Sequence, residues 1–98
     1  MQTQWTDRPV VDNHFCRVGK VTDVVYPEGG DRPEWALVKT GPLSSERLAP
    51  LDGAYVTDDG ALVLPFDEHT LRHAPKAPRD RILSPDLTSE AIAYFDQD

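Results

Sequence analysis

The sequence predicts a mainly β protein: a small β-barrel of about five to six short strands, with a short helix after the last strand and a C-terminal helix. Segments rich in β-branched and aromatic residues recur from residue 18 to residue 66. Nine prolines and six glycines supply many turns between them. In residues 35–38, Trp35 and Leu37 share one strand face while the other face is also apolar. Burial on both sides is expected of a closed barrel covered by a helix or a partner.

The first strand is predicted from residues 10–11 and 14–18, with Asp12 and Asn13 forming a turn or bulge between the two parts. Cys16 is the single cysteine of the chain, so no internal disulfide can form. We interpret Cys16 as a small core residue rather than a nucleophile.

Residues 18–26 and 35–41 are predicted to form the two arms of a hairpin. Its long tip, residues 27–34, contains two prolines and two glycines, which block ladder hydrogen bonds and accept positive φ. Two adjacent valines break the alternation of the first arm. A bulge or bend near Gly19 would reconcile this pattern with a curled sheet.

Residues 47–51 predict a short strand, and Pro50 places it at a sheet edge or makes it end there. Residues 54–57 and 61–66 predict the clearest hairpin of the sequence. Gly60 is the third residue of the Asp-Asp-Gly loop between them, where it can take the left-handed conformation of a three-residue hairpin loop.

Two helices are predicted after the last strand. Asp67 is the expected N-cap of a helix over residues 68–73, which Pro75 ends. Ser84 and Pro85 have the residue types that favour the N-cap and first position of a second helix. The residues predicted to share the face that packs on the barrel are Leu87, Ala91, Tyr94 and Phe95.

We therefore divide the chain into an N-terminal arm (residues 1–9), a barrel domain (residues 10–77) and a linker with the C-terminal helix packed on the barrel (residues 78–98). No apolar run is long enough to cross a bilayer, and the first residues lack the features of a signal peptide. We expect a cytoplasmic protein without membrane insertion.

The formal net charge is −7, which disfavours direct binding to nucleic acid. One basic window spans residues 72–81. It is interpreted as a solvated linker, with docking to an acidic partner surface or to anionic headgroups as the alternative.

The sequence contains only weak signals of a catalytic or metal site. His69 and His73 lie four residues apart on the predicted helix, near Asp67 and Glu68, and the HExxH order of metalloproteases is absent. An exposed polar face is the favoured interpretation of this pair. Asp23 is interpreted as a structural residue that ties a strand to a turn. Because no phosphate loop or nucleophile elbow is present, we expect no enzyme activity, no cofactor and no metal site.

Four segments, residues 19–26, 35–38, 47–54 and 62–75, resemble the PRC-barrel family. The first of these segments contains a Gly-Lys-Val strand, the third a Leu-Asp-Gly turn, and the fourth a Pro-Phe strand end that enters an Asp-x-x-Thr helix. The resemblance covers residues 12–77 and implies a PRC-type β-barrel.

Such barrels occur in the cytoplasmic part of the photosynthetic reaction centre H subunit and in the C-terminal half of a ribosome-maturation factor. The resemblance implies a platform for protein contacts without catalytic residues. Lacking the transmembrane helix of the first and the companion domain of the second, this sequence is more similar to the stand-alone bacterial members.

The leading functional hypothesis is a non-catalytic cytoplasmic adaptor or scaffold domain that self-associates, as a homodimer, and docks a protein partner whose identity the sequence does not reveal. Trp35, Tyr55 and Phe66 are the predicted partner-binding anchors, with a core position as the alternative for each. The alternative function is a small-ligand-binding or metal-binding regulatory domain that uses His69 and His73.

Overall fold

The computed structural model describes residues 7–26, 29–30, 32–41, 45–78 and 82–96. Within this part of the chain it forms the following elements: β1 (Pro9–Val11), β2 (Arg17–Val25), β3 (Trp35–Lys39), β4 (Glu46–Pro50), β5 (Tyr55–Val56), β6 (Leu62–Val63), α1 (Glu68–Arg72) and α2 (Pro85–Phe95). The prediction of a mainly β fold with a short helix after the last strand and a C-terminal helix is confirmed.

The strands form one mixed sheet in the order β4-β3-β2-β1-β6-β5. All neighbouring pairs are antiparallel except β1 and β6, which run parallel with Val10 opposite Leu62. The predicted hairpins β2–β3 and β5–β6 are both present, although β6 is shorter than predicted. The parallel contact places the β5–β6 hairpin beside the first strand of the chain.

The bulge predicted near Gly19 is confirmed. Val10 lies opposite Gly19 and Val11 lies opposite Arg17, so Val18 is an extra residue on β2. Gly19 is also required for space, because a Cβ atom there would lie 2.2 Å from the carbonyl oxygen of Lys39. The backbones of β2 and β3 therefore approach each other where only glycine fits.

The predicted closed barrel is not confirmed, because the sheet of the described residues is open. β4 and β5 stand at the two ends of the strand order. The outer edge of β4 is already occupied by the chain that follows α1. There, Leu48 donates a hydrogen bond to Pro75 (3.0 Å), and Ala77 donates one to Glu46 (2.8 Å). The edge of β4 that would have to pair in a closed barrel is thus hydrogen-bonded to residues 75–77 of the same chain.

Both faces of β3 are buried, as predicted. The first core lies between the sheet and α1 and contains Val10, Val18, Val21, Ala36, Val38, Ala49, Leu62, Leu64 and Leu71. The second core lies on the opposite face of β3 and contains Trp35, Leu37, Leu48 and Ala91. Since Ala91 belongs to α2, the cover expected on the outer face is the C-terminal helix.

The predicted helix caps are present. The side chain of Asp67 accepts a hydrogen bond from the Thr70 backbone N–H (2.8 Å), and that of Ser84 accepts one from Leu87 (3.1 Å). The predicted face of α2 packs inward: Ala91 is fully buried, Leu87 and Phe95 contact the second core, and the Tyr94 hydroxyl donates to the Thr70 carbonyl (2.8 Å).

Two predictions for the start of the chain are wrong. Residues 14–16 do not extend a strand, because residues 12–16 close a tight loop between β1 and β2. Cys16 consequently lies at the surface and is not a core residue.

Within the basic window, Lys76 is not in a free linker, since it forms a β-bridge with Arg47 of β4.

Several predictions fall partly outside the described residues. These concern residues 1–6 of the N-terminal arm, residues 27, 28 and 31 of the hairpin tip, and residues 79–81 of the basic window. Neither helix in the described ranges has the length and apolar character needed to cross a membrane.

Candidate functional site

A cleft of about 470 Å³ opens where the start of β3, the end of β4 and the C-terminal end of α2 meet. Its apolar wall includes Trp35, Leu51, Phe66, Ile92 and Phe95. The volume falls in the range of about 300–1,000 Å³ that is typical of ligand pockets, and it also suits one or two large side chains. The cleft is therefore a candidate binding site.

The apolar wall is assembled from three elements. Phe66 follows β6, and its ring lies 4.7 Å from that of Phe95 on α2, centroid to centroid, at a tilted angle. Trp35 at the start of β3 is only 4% exposed, so it forms the floor. Ile92, one turn before Phe95 on α2, is 53% exposed and forms the open side. An occupant would contact Ile92 and Phe66 first.

Carboxylates surround this apolar wall. Glu34, Asp52 and Asp96 all line the cleft, and none of the described lining residues is Lys, Arg or His. Asp96 is also the C-cap of α2, where the last helical carbonyls already give a negative potential. An occupant that carries a positive charge beside an apolar group would match both features of the cleft.

The structure brings together two of the three predicted anchors. Trp35 and Phe66 line the same cleft, although Trp35 is also a member of the second core. Tyr55 lies elsewhere, on the edge strand β5, where it is 52% exposed. Ile92 and Asp96 also line the cleft and were not predicted as site residues. The only signal available for them was their place at the end of the C-terminal helix.

His69 and His73 form a pair at the surface, with ring centroids 4.3 Å apart and ring planes tilted by 35°. The Nδ1 of His73 donates to the carbonyl oxygen of His69 (2.9 Å). Among the described residues, no group of three or more His, Cys, Asp or Glu is arranged to hold a metal ion. The pair itself supplies two imidazoles, and the regulatory ligand site there stays a prediction.

Two perturbed groups lie at the junction of the helices, outside the cleft. Hydrogen bonds from the side chain and backbone of Thr70 lower the pKa of Asp67, with smaller contributions from the nearby His69 and His14. Burial raises the pKa of Tyr94, and the charge of Asp67 acts in the same direction. These shifts are explained by helix capping and packing.

Asp23 lies in β2, where its side chain accepts a hydrogen bond from the Val24 N–H (2.8 Å). This local contact fits the interpretation of Asp23 as a structural residue.

A scan against protein-family models and a search of curated proteins both gave no match to this chain. The similarity to PRC barrels therefore stays a prediction made from sequence motifs.

Proposed function

We propose that this protein is a non-catalytic protein-interaction domain, a self-associating adaptor, and that its contact site is the acidic cleft between the sheet and α2. The observation that carries the proposal is the combination of an aromatic wall with Glu34, Asp52 and Asp96 around it. The side chains of the cleft offer apolar surface and carboxylate acceptors, and these are suited to binding a cationic and apolar segment of a protein.

Such a segment would place a large apolar side chain against Phe66 and Ile92. A neighbouring Lys or Arg would then reach the carboxylates while its aliphatic stem covers apolar surface. Buried aromatic anchors surrounded by polar groups are the usual source of binding energy at protein interfaces.

We further propose that the domain is related to PRC barrels and acts in the cytoplasm. The proposal is supported by the motif order in the sequence and by two local features of the fold. Gly19 lies where β2 and β3 approach closely, and Asp67 caps α1 through Thr70. Both features involve residues of the motifs that carry the resemblance.

Site-specific photo-crosslinking in native cells tests the interaction site. The photoreactive amino acid p-benzoylphenylalanine replaces Ile92 in the cleft or, as a matched control, Tyr55 on β5. These two side chains are almost equally exposed, at 53% and 52%. We expect a defined protein adduct from position 92 that is absent from position 55.

The charge requirement is tested in the same cells by adding Asp52→Lys to the position 92 variant. We expect the adduct to be lost, because the added cation repels a basic partner. The proposal is wrong if position 92 gives no protein adduct, or if both positions give the same adducts.

A further inference from the structure

The loop between β1 and β2 has an unusual residue at its third position. The Asp12 N–H donates to the Cys16 carbonyl (3.0 Å), and the Phe15 N–H donates to the Asp12 carbonyl (3.0 Å). These two bonds define a three-residue hairpin loop whose last residue takes the left-handed conformation. That residue is Phe15, with φ of 63°.

The β5–β6 hairpin contains the same three-residue loop with the residue that usually occupies its third position, glycine. The Thr57 N–H donates to the Ala61 carbonyl (2.8 Å), and the Gly60 N–H donates to the Thr57 carbonyl (3.0 Å). The residue at the third position is Gly60, with φ of 91°. One chain thus builds the same loop twice, once with glycine and once with a bulky aromatic residue in a conformation that such residues rarely adopt.

The strain at Phe15 is not offset by burial of its ring. The residue is 64% exposed, among the most exposed of the large apolar residues that the structure describes. A strained residue persists where its surroundings hold it, and such residues concentrate at functional positions. The side chain of Phe15 is therefore best explained by a contact that is made outside this chain.

The loop is held rigidly. Asp12 is 3% exposed, and its side chain accepts hydrogen bonds from the His14 and Cys16 N–H groups, both at 2.9 Å. The Asn13 N–H donates to the carbonyl of Phe66 (3.0 Å), so the loop is fastened to the residue whose ring lines the cleft. Phe15 is consequently presented at a fixed position, in a loop whose backbone is hydrogen-bonded to that of Phe66.

The exposed basic residues beside Phe15 have a charge opposite to that of the cleft, whereas the Asp12 carboxylate of the same loop is buried. His14 precedes Phe15 and Arg17 follows it after one residue, whereas the charged groups of the cleft are all carboxylates. The loop therefore has the chemistry that the cleft accepts: an exposed aromatic ring flanked by a cation and an ionisable imidazole.

We propose that the occupant of the cleft is the Phe15 loop (residues 13–17) of a second copy of this chain. This inference rests on the proposed function of the cleft and names its partner. Phe15 of each copy enters the cleft of the other, with Arg17 facing the carboxylates. Because each chain carries both the loop and the cleft, a two-fold axis generates two identical contacts.

Sedimentation velocity over protein concentrations from about 5 to about 500 µM tests this arrangement. We expect the wild type to form a dimer and Phe15→Gly and Ile92→Glu each to weaken it by about tenfold or more. Phe15→Gly removes backbone strain, so the variant folds. Tyr55→Ala, which removes an exposed aromatic ring from another surface (52% exposed, against 64% for Phe15), leaves the dimer unchanged.

A mixture of the two weakened variants gives the decisive result. In a heterodimer, the intact loop of the Ile92→Glu copy meets the intact cleft of the Phe15→Gly copy, whereas each variant alone has neither contact. We therefore expect the equimolar mixture to associate more tightly than either variant by itself.

The inference is overturned by a wild type that stays monomeric, by an unchanged dimer of Phe15→Gly, or by a mixture no tighter than its components. A monomer whose position 92 crosslinks to a different protein refutes the Phe15 contact and leaves the interaction site standing. Absence of any protein adduct at position 92 refutes the proposed function itself.

Discussion

Gly19→Ala is the substitution with the clearest structural cost. The added Cβ atom would lie 2.2 Å from the carbonyl oxygen of Lys39, 2.9 Å from its carbonyl carbon and 3.0 Å from the Cα atom of Thr40. All three are backbone atoms, so no side chain can rotate away. Relief requires β3 to move from β2 next to the paired residues Lys20 and Lys39.

The expected loss follows from the size of this clash. Inserting extra atoms into a packed site costs typically about 1–3 kcal/mol, and a clash with backbone belongs at or above the upper end, near ~3 kcal/mol. Because Gly19 does not have a positive φ, the loss of stability reports the steric clash alone and includes no cost for an unfavourable backbone conformation. For a domain of this size, ~3 kcal/mol lowers the melting temperature by roughly 12–24 °C.

Urea unfolding, followed by circular dichroism, measures this loss. Gly29→Ala is the matched control, because Gly29 has φ of 74° and no atom within 4 Å of its added Cβ. The control carries a conformational cost of about 1 kcal/mol without a clash. If the free energy of unfolding of Gly19→Ala lies within about 1 kcal/mol of the wild-type value, the close approach of β2 and β3 is wrong.

Three further predictions concern the loop, the first helix cap and the C-terminal helix. Phe15→Gly, measured at a concentration where the wild type is monomeric, raises the free energy of unfolding by about 1 kcal/mol, and an unchanged value contradicts the strain. The pKa of Asp67 is lowered in the fold below its ordinary 3.8, so its stabilising effect is present above that value and is lost as the pH falls through the folded pKa. As the pH falls through the folded pKa of Asp67, the difference in urea midpoint between the wild type and Asp67→Ala should therefore shrink. A difference that does not change with pH contradicts the lowered pKa of Asp67. Ala91→Glu places a carboxylate in the second core and destabilises the fold by about 2 kcal/mol or more. In a Trp5→Phe background, which leaves Trp35 as the only tryptophan of the sequence, we expect a red shift of the fluorescence as the helix detaches; unchanged emission would refute the packing of α2.

Local sequence signals predicted much of the fold. The caps of both helices, the loop ending in Gly60 and the bulge near Gly19 each depend on a few adjacent residues and were confirmed. Burial of both faces of β3 followed from its continuous apolar run. In each case the residue type restricts the local backbone or its contacts.

The errors concern contacts between distant segments. The strand pattern does not show that residues 75–77 lie along β4, or that β1 pairs with β6 in parallel. The first contact occupies the edge of β4 that a closed barrel would need, and neither contact has a local signature in the sequence. A turn or bulge was predicted at Asp12 and Asn13, but its extension through residue 16 was not, because Phe15 lies where turn rules expect glycine or asparagine.

Two of the three predicted anchors line the cleft, and their role in binding a partner stays a prediction. Trp35 and Phe66 were chosen because aromatic residues favour interfaces, and the fold brings both to the cleft. Tyr55 was chosen on the same ground and lies on another surface. The end of α2, with Ile92 and Asp96, was not identified, since its role depends on where the helix docks on the sheet.

While the chain is being synthesised, β1 has one pairing edge without a neighbour until β6 has been made. β2 follows β1 directly, whereas Val10 meets its other partner, Leu62, only after four more strands have left the ribosome. Pairings between distant segments form late, because loop closure must precede their stabilising contacts. The nascent polypeptide therefore passes through a stage with an exposed strand edge, which is the kind of surface that chaperones protect.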